Sequence, residues 1–128
     1  MATLVERVTA LVQAVGAEIK ALRARTGTAY VVASGSAAVT TNAVSASVLA
    51  GFSGVTRVSA GKLRFTFTTA QPDTSYMPFC DVFDSTVRAA RVVAKTTTYV
   101  EVQVMSITST PAAADAAETS LLVVRKVT

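Results

Sequence analysis

The sequence predicts a mainly β protein with an N-terminal α-helix, in which a trimeric coiled coil is followed by an antiparallel β-sandwich. Through residues 3–25, apolar residues recur at steps of three and four, as in a coiled-coil seam. From residue 27 the pattern changes to short alternating segments separated by Gly, Pro and Asp, which is typical of strands joined by tight turns. We therefore expect a coiled-coil helix at 1–26, a linker and first strand at 27–36, and a β-sandwich at 37–128.

The predicted seam occupies two positions of a seven-residue repeat, and two leucines widen it on one flank. Its residues are Val5, Val8, Val12, Val15, Ile19, Leu22, Leu4 and Leu11. Thr3 and Glu6 have the spacing of a capping box at the start of the helix, and Gly27 suits its end. This apolar stripe needs a partner, which is either another copy of the chain or the sheet of the same chain. We favour self-association into a trimer, although the seam composition also fits a dimer.

Composition argues against several classes of chemistry. Cys80 is the single cysteine and there is no histidine, so we expect no internal disulfide, no thiolate metal cluster, no histidine-based catalysis and no cofactor. The net charge of +4 comes from scattered basic residues, which argues against nucleic-acid binding. Apolar runs stay far below the roughly 20 residues of a membrane span, and Glu6 and Arg7 interrupt any secretory signal. We expect a chain made in the cytoplasm and not inserted into a membrane.

The predicted strands are short, and their turns are marked by Gly and Pro. They cover residues 30–32, part of 37–49, 55–59, 63–69, 76–82, 87–95, 98–107 and 120–127. The segment 33–36, Ala-Ser-Gly-Ser, is expected to be flexible. Leu63, Phe65 and Phe67 alternate with polar residues, so they are expected to face a core. Pro78 indicates an edge strand, because proline cannot donate to a neighbouring strand.

One stretch of the chain resembles a known family. Residues 53–58 read SGVTRV and residues 61–76 read GKLRFTFTTAQPDTSY. This pattern is similar to a segment of the carboxy-terminal β-domain of tailed-phage tail-fibre proteins, and residues 8–22, 29–32 and 121–124 resemble the flanking parts of such proteins. The chain is much shorter than most members of that family.

The resemblance implies a homotrimeric structural fibre protein located in the virion. Its N-terminal part would anchor it to other virion proteins, and its β-domain would contribute to attachment to a host cell-surface glycan. The alternative is a head fibre, a capsid decoration protein or a tail-connecting subunit that binds no receptor.

Three aromatic residues are candidates for receptor contact, and one carboxylate pair is a candidate for catalysis. Tyr76, Phe83 and Tyr99 could display their rings on loops or strand ends, whereas the competing interpretation places strand aromatics in the core. Asp81 and Asp84 could act as the two carboxyl groups of a glycosidase, but solvated turn residues explain them more simply. We therefore expect a binding or structural protein and not an enzyme.

Overall fold

The structure is a computed structural model that describes residues 2–25 and 29–126 of the chain. These described residues form one helix, α1 (Leu4–Arg25), and eight strands that follow it. The strands are β1 (Ala29–Thr40), β2 (Ala43–Ala50), β3 (Phe52–Ser59), β4 (Lys62–Phe67), β5 (Tyr76–Phe83), β6 (Arg88–Lys95), β7 (Tyr99–Ser106) and β8 (Glu118–Lys126). The prediction of a mainly β protein with an N-terminal helix is confirmed.

Helix α1 begins with the predicted capping box. The Glu6 backbone N–H donates to the Thr3 hydroxyl at 3.2 Å, and the Thr3 N–H donates to the Glu6 carboxylate at 2.7 Å. These two bonds satisfy amide groups that have no partner inside the first turn. The predicted stop at Gly27 lies outside the described residues.

The strands form two four-stranded antiparallel sheets. Sheet A has the order β2-β1-β8-β5, and sheet B has the order β3-β4-β7-β6. Strand β5 is an edge of sheet A, as Pro78 predicted. The chain passes between the sheets four times through consecutive strands, from β2 to β3, from β4 to β5, from β5 to β6 and from β7 to β8.

A single buried cluster draws side chains from both sheets. Its members are Ala33, Ala37, Phe52, Leu63, Phe65, Phe67, Tyr76, Val100, Val102, Leu121 and Val123. Leu63, Phe65 and Phe67 on β4 are at most 5% exposed, so the predicted core face of this strand is confirmed. Phe67 links the sheets, because its ring stacks on Phe52 at 5.3 Å and meets the edge of Tyr76 at 5.4 Å between ring centroids.

Strands β3 and β4, which cover most of the predicted strands at 55–59 and 63–69, form an antiparallel hairpin. Antiparallel pairing ends at Ser59 opposite Lys62, and Gly61 turns the chain with φ +69°. Asp115 secures this turn from a distant loop: its carboxylate accepts the Gly61 N–H at 2.8 Å and an Arg57 guanidinium N–H at 2.9 Å. The pKa of Asp115 is lowered mainly by the hydrogen bond from Arg57 and further by the one from Gly61. Partial burial acts in the opposite direction but is the weaker effect.

The expected flexibility of residues 33–36 is wrong, because strand β1 runs through them without a break. Ala33 and Ala37 are fully buried, and a Cβ on Gly35 would lie 2.5 Å from the Leu49 side chain. Small residues therefore suit the close packing at this point and do not mark a loop. The compact β unit spans Val31–Arg125, so it includes most of the segment that we expected to be a linker.

Candidate functional site

The predicted oligomerisation seam is exposed along its described length. Seven of its eight residues, from Leu4 to Ile19, have exposed fractions between 49% and 77%. The side chain of Leu22, the eighth, lies outside the described residues. A row of Val, Leu and Ile side chains on one side of a helix is thus available for contact with another helix.

Of the three aromatic candidates, Tyr76 is buried. It is 2% exposed, and its hydroxyl donates to the Thr96 carbonyl at 2.6 Å. The ammonium group of Lys95 donates to the Tyr76 carbonyl at 2.7 Å and lies 4.9 Å from the ring centroid. Burial raises the pKa of the Tyr76 phenol. Tyr76 is therefore a core residue that joins β5 to the β6–β7 turn, and it does not present its ring to a receptor.

Phe83 is exposed by 74% and belongs to an apolar row on the outer face of sheet A, the face turned away from the buried cluster. Successive residues of a strand point to opposite faces, so Met77, Phe79 and Phe83 share this face while Tyr76 points into the core. Met77 and Phe79 are 49% and 57% exposed. Across the strand pair, Phe79 lies opposite Leu122 of β8, which is 38% exposed.

A groove of about 380 Å³ crosses the outer face of sheet A. Ser34, Ser36 and Ser120 form its floor, Val48 lies on one side, and Phe79 and Leu122 lie on the other. The floor is ordered by hydrogen bonds.

The hydroxyl of Ser36 donates to the Glu118 carboxylate at 2.8 Å and lies 3.3 Å from the Ser120 hydroxyl. Asp81 also lines the groove and is placed opposite Ser120 in the strand register.

Val48 projects from sheet A because β2 bulges at this point. Ser34 pairs with Ala50 and Ser36 pairs with Ser47, so β2 has an extra residue between these pairs. Val48 has φ +51° and is 86% exposed. A positive φ is unfavourable for a β-branched residue, so the bulge keeps an apolar side chain in solvent at a conformational cost of about 1–3 kcal/mol.

Tyr99 lies on the outer face of sheet B beneath a charged pair. The Arg64 guanidinium is 4.1 Å from the centroid of the Tyr99 ring and 2.6 Å from the Glu101 carboxylate. These three side chains come from the adjacent strands β4 and β7. They form a polar ridge in which the aromatic face of Tyr99 is occupied by Arg64.

The two carboxylates considered for catalysis have separate local roles. Asp84 accepts backbone N–H groups from Thr86 at 2.9 Å and Ala117 at 2.8 Å, and these bonds lower its pKa. Asp81 accepts the Val82 N–H at 2.9 Å and faces the groove. A glycosidase acid needs a carboxyl group whose pKa is raised, whereas the environment of Asp84 acts in the opposite direction.

Sequence reasoning missed the groove. Its floor is made of serines, and its Val48 side depends on a bulge that no turn residue announces. The sequence did contain one signal, the alternation of side chains along a strand: residues 77, 79, 81 and 83 lie on one face of β5 and residue 76 lies on the other.

Within residues 2–25 and 29–126, no helix is both long enough and apolar enough to cross a membrane. The same residues contain no group of three or more Cys, Asp or Glu side chains arranged to hold a metal ion. Comparison of the chain with protein-family models, with curated proteins and with solved structures finds no match.

Proposed function

We propose that the chain is a homotrimeric structural fibre protein of a tailed-phage virion, with a coiled coil formed by α1 and an outward-facing β-domain that contributes to host attachment. The observation that carries the proposal is the exposed heptad seam of α1. A helix of 22 residues is marginal in water without packing partners, so a seam that is at least 49% exposed favours association with other helices.

The energetic scale supports assembly through this helix. Fully burying one Val, Leu or Ile side chain contributes about 1.5–3 kcal/mol. The described seam offers seven such side chains per chain, and three chains would bury them around one axis. This burial would favour association of the three helices.

For the β-domain we propose a sandwich of sheets A and B. Two four-stranded antiparallel sheets that contribute to one buried cluster have the ingredients of such a packing. The phage assignment rests on the resemblance of residues 53–58 and 61–76 to tail-fibre β-domains. Trimerisation would also strengthen weak glycan contacts, because several copies engage a cell surface together. Phe83, at 74% exposure, supports a contact role for the end of β5.

The test compares two double variants of the full chain by sedimentation velocity and light scattering. Val12→Asp with Val15→Asp introduces two charges into the seam. Ala10→Asp with Ala17→Asp introduces the same charges on the opposite side of the helix. The control loses more intrinsic helix propensity, because Ala is the best helix former and Val is a poor one. Simple loss of helicity would therefore affect the control at least as strongly.

We expect the parent chain and the control to have about three times the chain mass of 13.2 kDa, and the seam variant to be monomeric. A monomeric parent chain would refute assembly through the seam. The attachment part is tested on a glycan array with the intact trimer and with Phe83→Ser. A trimer that binds no glycan would remove attachment from the proposal and leave a structural virion subunit.

A further inference from the structure

The outer faces of the two sheets carry opposite charges. On sheet A, Asp81 and Glu118 share the face of Phe79 and Leu122, because the intervening residues Leu121 and Val123 of β8 point into the core. Asp81 pairs with Ser120, and Glu118 lies two residues before Ser120, so Asp81 and Glu118 are diagonal neighbours in the strand pair. Such neighbours are about 7–8 Å apart. This face therefore presents two nearby carboxylates beside an apolar groove.

On sheet B, two basic residues lie in one row across three strands. Lys62 of β4 pairs with Gln103 of β7, and Gln103 pairs with Arg91 of β6. Their neighbours Leu63 and Val102 are buried, so this row is on the outer face. Strands are about 4.8 Å apart, which separates the ends of the row by about 10 Å.

Neither of these basic residues forms an ion pair with another described residue of the chain. The ion pairs formed by the described residues are Arg57–Asp115, Arg64–Glu101 and Arg125–Asp73. Lys62 and Arg91 belong to none of them. The sheet B face thus combines the positive charges of Lys62 and Arg91 with the polar ridge of Arg64, Tyr99 and Glu101.

We propose that the groove on the outer face of sheet A binds the outer face of sheet B of a second copy of this chain, with Asp81 and Glu118 facing Lys62 and Arg91. The inference rests on the proposed function, since α1 brings the copies together. It assigns Val48, Phe79 and Leu122 to contact between copies. It also moves Tyr99 from the receptor contacts to this interface and leaves Phe83, at the end of β5, at its border.

Charge decides which faces meet. Two copies that joined sheet A to sheet A would bring four carboxylates together over an apolar groove, and like charges in such a site are unfavourable. Joining sheet A to sheet B pairs each carboxylate with a cation instead. Such a head-to-tail contact closes into a ring when the rotation between copies fits, as in a three-fold assembly.

The size of the face explains why the helix is needed. Four strands about 4.8 Å apart make a sheet about 19 Å wide, and a strand of eight residues is about 27 Å long at about 3.3 Å per residue. The resulting footprint of about 500 Å² is smaller than the roughly 800 Å² per partner of a standard interface. Contact at this face is therefore weak by itself, but a short tether raises the effective concentration to the millimolar range.

The test is zero-length carbodiimide coupling of the full chain, using an equal mixture of ¹⁴N- and ¹⁵N-labelled protein whose mass is measured in the same sample. Carbodiimide joins a carboxylate to a lysine amine only when the two groups are in contact. We expect mixed-isotope peptide pairs that join Lys62 to Asp81 or Glu118. The double variant Asp81→Asn with Glu118→Gln should lose these pairs, whereas Glu18→Gln on α1 should keep them.

A charge exchange provides the second measurement. Asp81→Lys alone should lower the urea midpoint of the trimer, and adding Arg91→Asp to the same chain should restore part of the loss. The inference would be overturned if the trimer shows no coupling of Lys62 to Asp81 or Glu118. It would also be overturned if these carboxylates couple to another lysine of a different copy. Either result would leave the fibre proposal standing. A chain that remains monomeric would overturn both.

Discussion

Replacing Gly16 by Ala should strengthen assembly if α1 folds and associates in one step. Gly16 lies inside α1, and a Cβ added there has no atom within 4 Å. Ala is therefore accommodated without strain and should favour the helix by about 0.5–1 kcal/mol per chain. In the proposed trimer, three chains would gain about 1.5–3 kcal/mol together, which corresponds to an increase of about ten- to one-hundredfold in the association constant.

The matched control is Ala17→Gly, which makes the opposite change one residue later on the side of α1 away from the seam. It should weaken the association constant by a similar factor. Sedimentation equilibrium at several concentrations measures both constants, and helicity by circular dichroism should change in parallel. If both variants associate like the parent chain, helix formation is not coupled to assembly and the reasoning from the seam fails.

Three further predictions concern the β-domain. Gly61→Ala should lower the free energy of unfolding by about 2–4 kcal/mol, because Gly61 has φ +69° and its new Cβ would meet two backbone carbonyl oxygens; Gly54→Ala, with open space around it, should change the urea midpoint little. Tyr76→Phe should lower the free energy of unfolding in urea by about 0.5–1.5 kcal/mol, because the hydrogen bond to Thr96 is lost. The parent chain should lose stability as the pH rises above about 10, because the pKa of Tyr76 is raised in the folded chain and the unfolded chain releases this proton first. Tyr76→Phe should remove that loss, and an unchanged alkaline profile would contradict the assigned burial. Because the pKa of Asp115 is lowered in the folded chain, its contribution to the free energy of unfolding is present above about pH 4 and is lost as the pH falls through the folded-state pKa. Asp115→Asn should therefore reduce the fall of the melting temperature at acidic pH. An equally steep fall would show that the pair with Arg57 does not stabilise the fold.

The parts of the fold that could be predicted are those in which large apolar residues alternate with polar ones. Leu63, Phe65 and Phe67 define the core face of β4 because each side chain is large enough to require burial. Strand β1 was missed at residues 33–36 for the opposite reason. Its buried apolar positions are Ala33 and Ala37, with the half-buried Gly35 between them, and such small residues are equally common in loops.

The candidate site was less predictable than the fold because it depends on which face a residue occupies. Tyr76 and Phe83 are both strand aromatics, yet one is 2% exposed and the other 74% exposed. Local sequence shows that they lie on opposite faces, but only the pairing of β5 with β8 identifies the core side. Predicting the groove would require still more information about strand pairing, because its floor brings together Ser36 and Ser120 from distant parts of the chain.

In the proposed assembly, the helix would bring the copies together, and the contact between the sheets would fix their number. A seam of Val, Leu and Ile would bring copies together but is compatible with two or three strands, since β-branched Val and Ile and γ-branched Leu are mixed in it. A head-to-tail contact between sheet A and sheet B is more selective, because it closes only at the copy number that its rotation allows. A pair of chains joined through identical faces would then be disfavoured, because it would bring Asp81 near Asp81 or Arg91 near Arg91. The weak interface, and not the strong one, would therefore fix the number of copies.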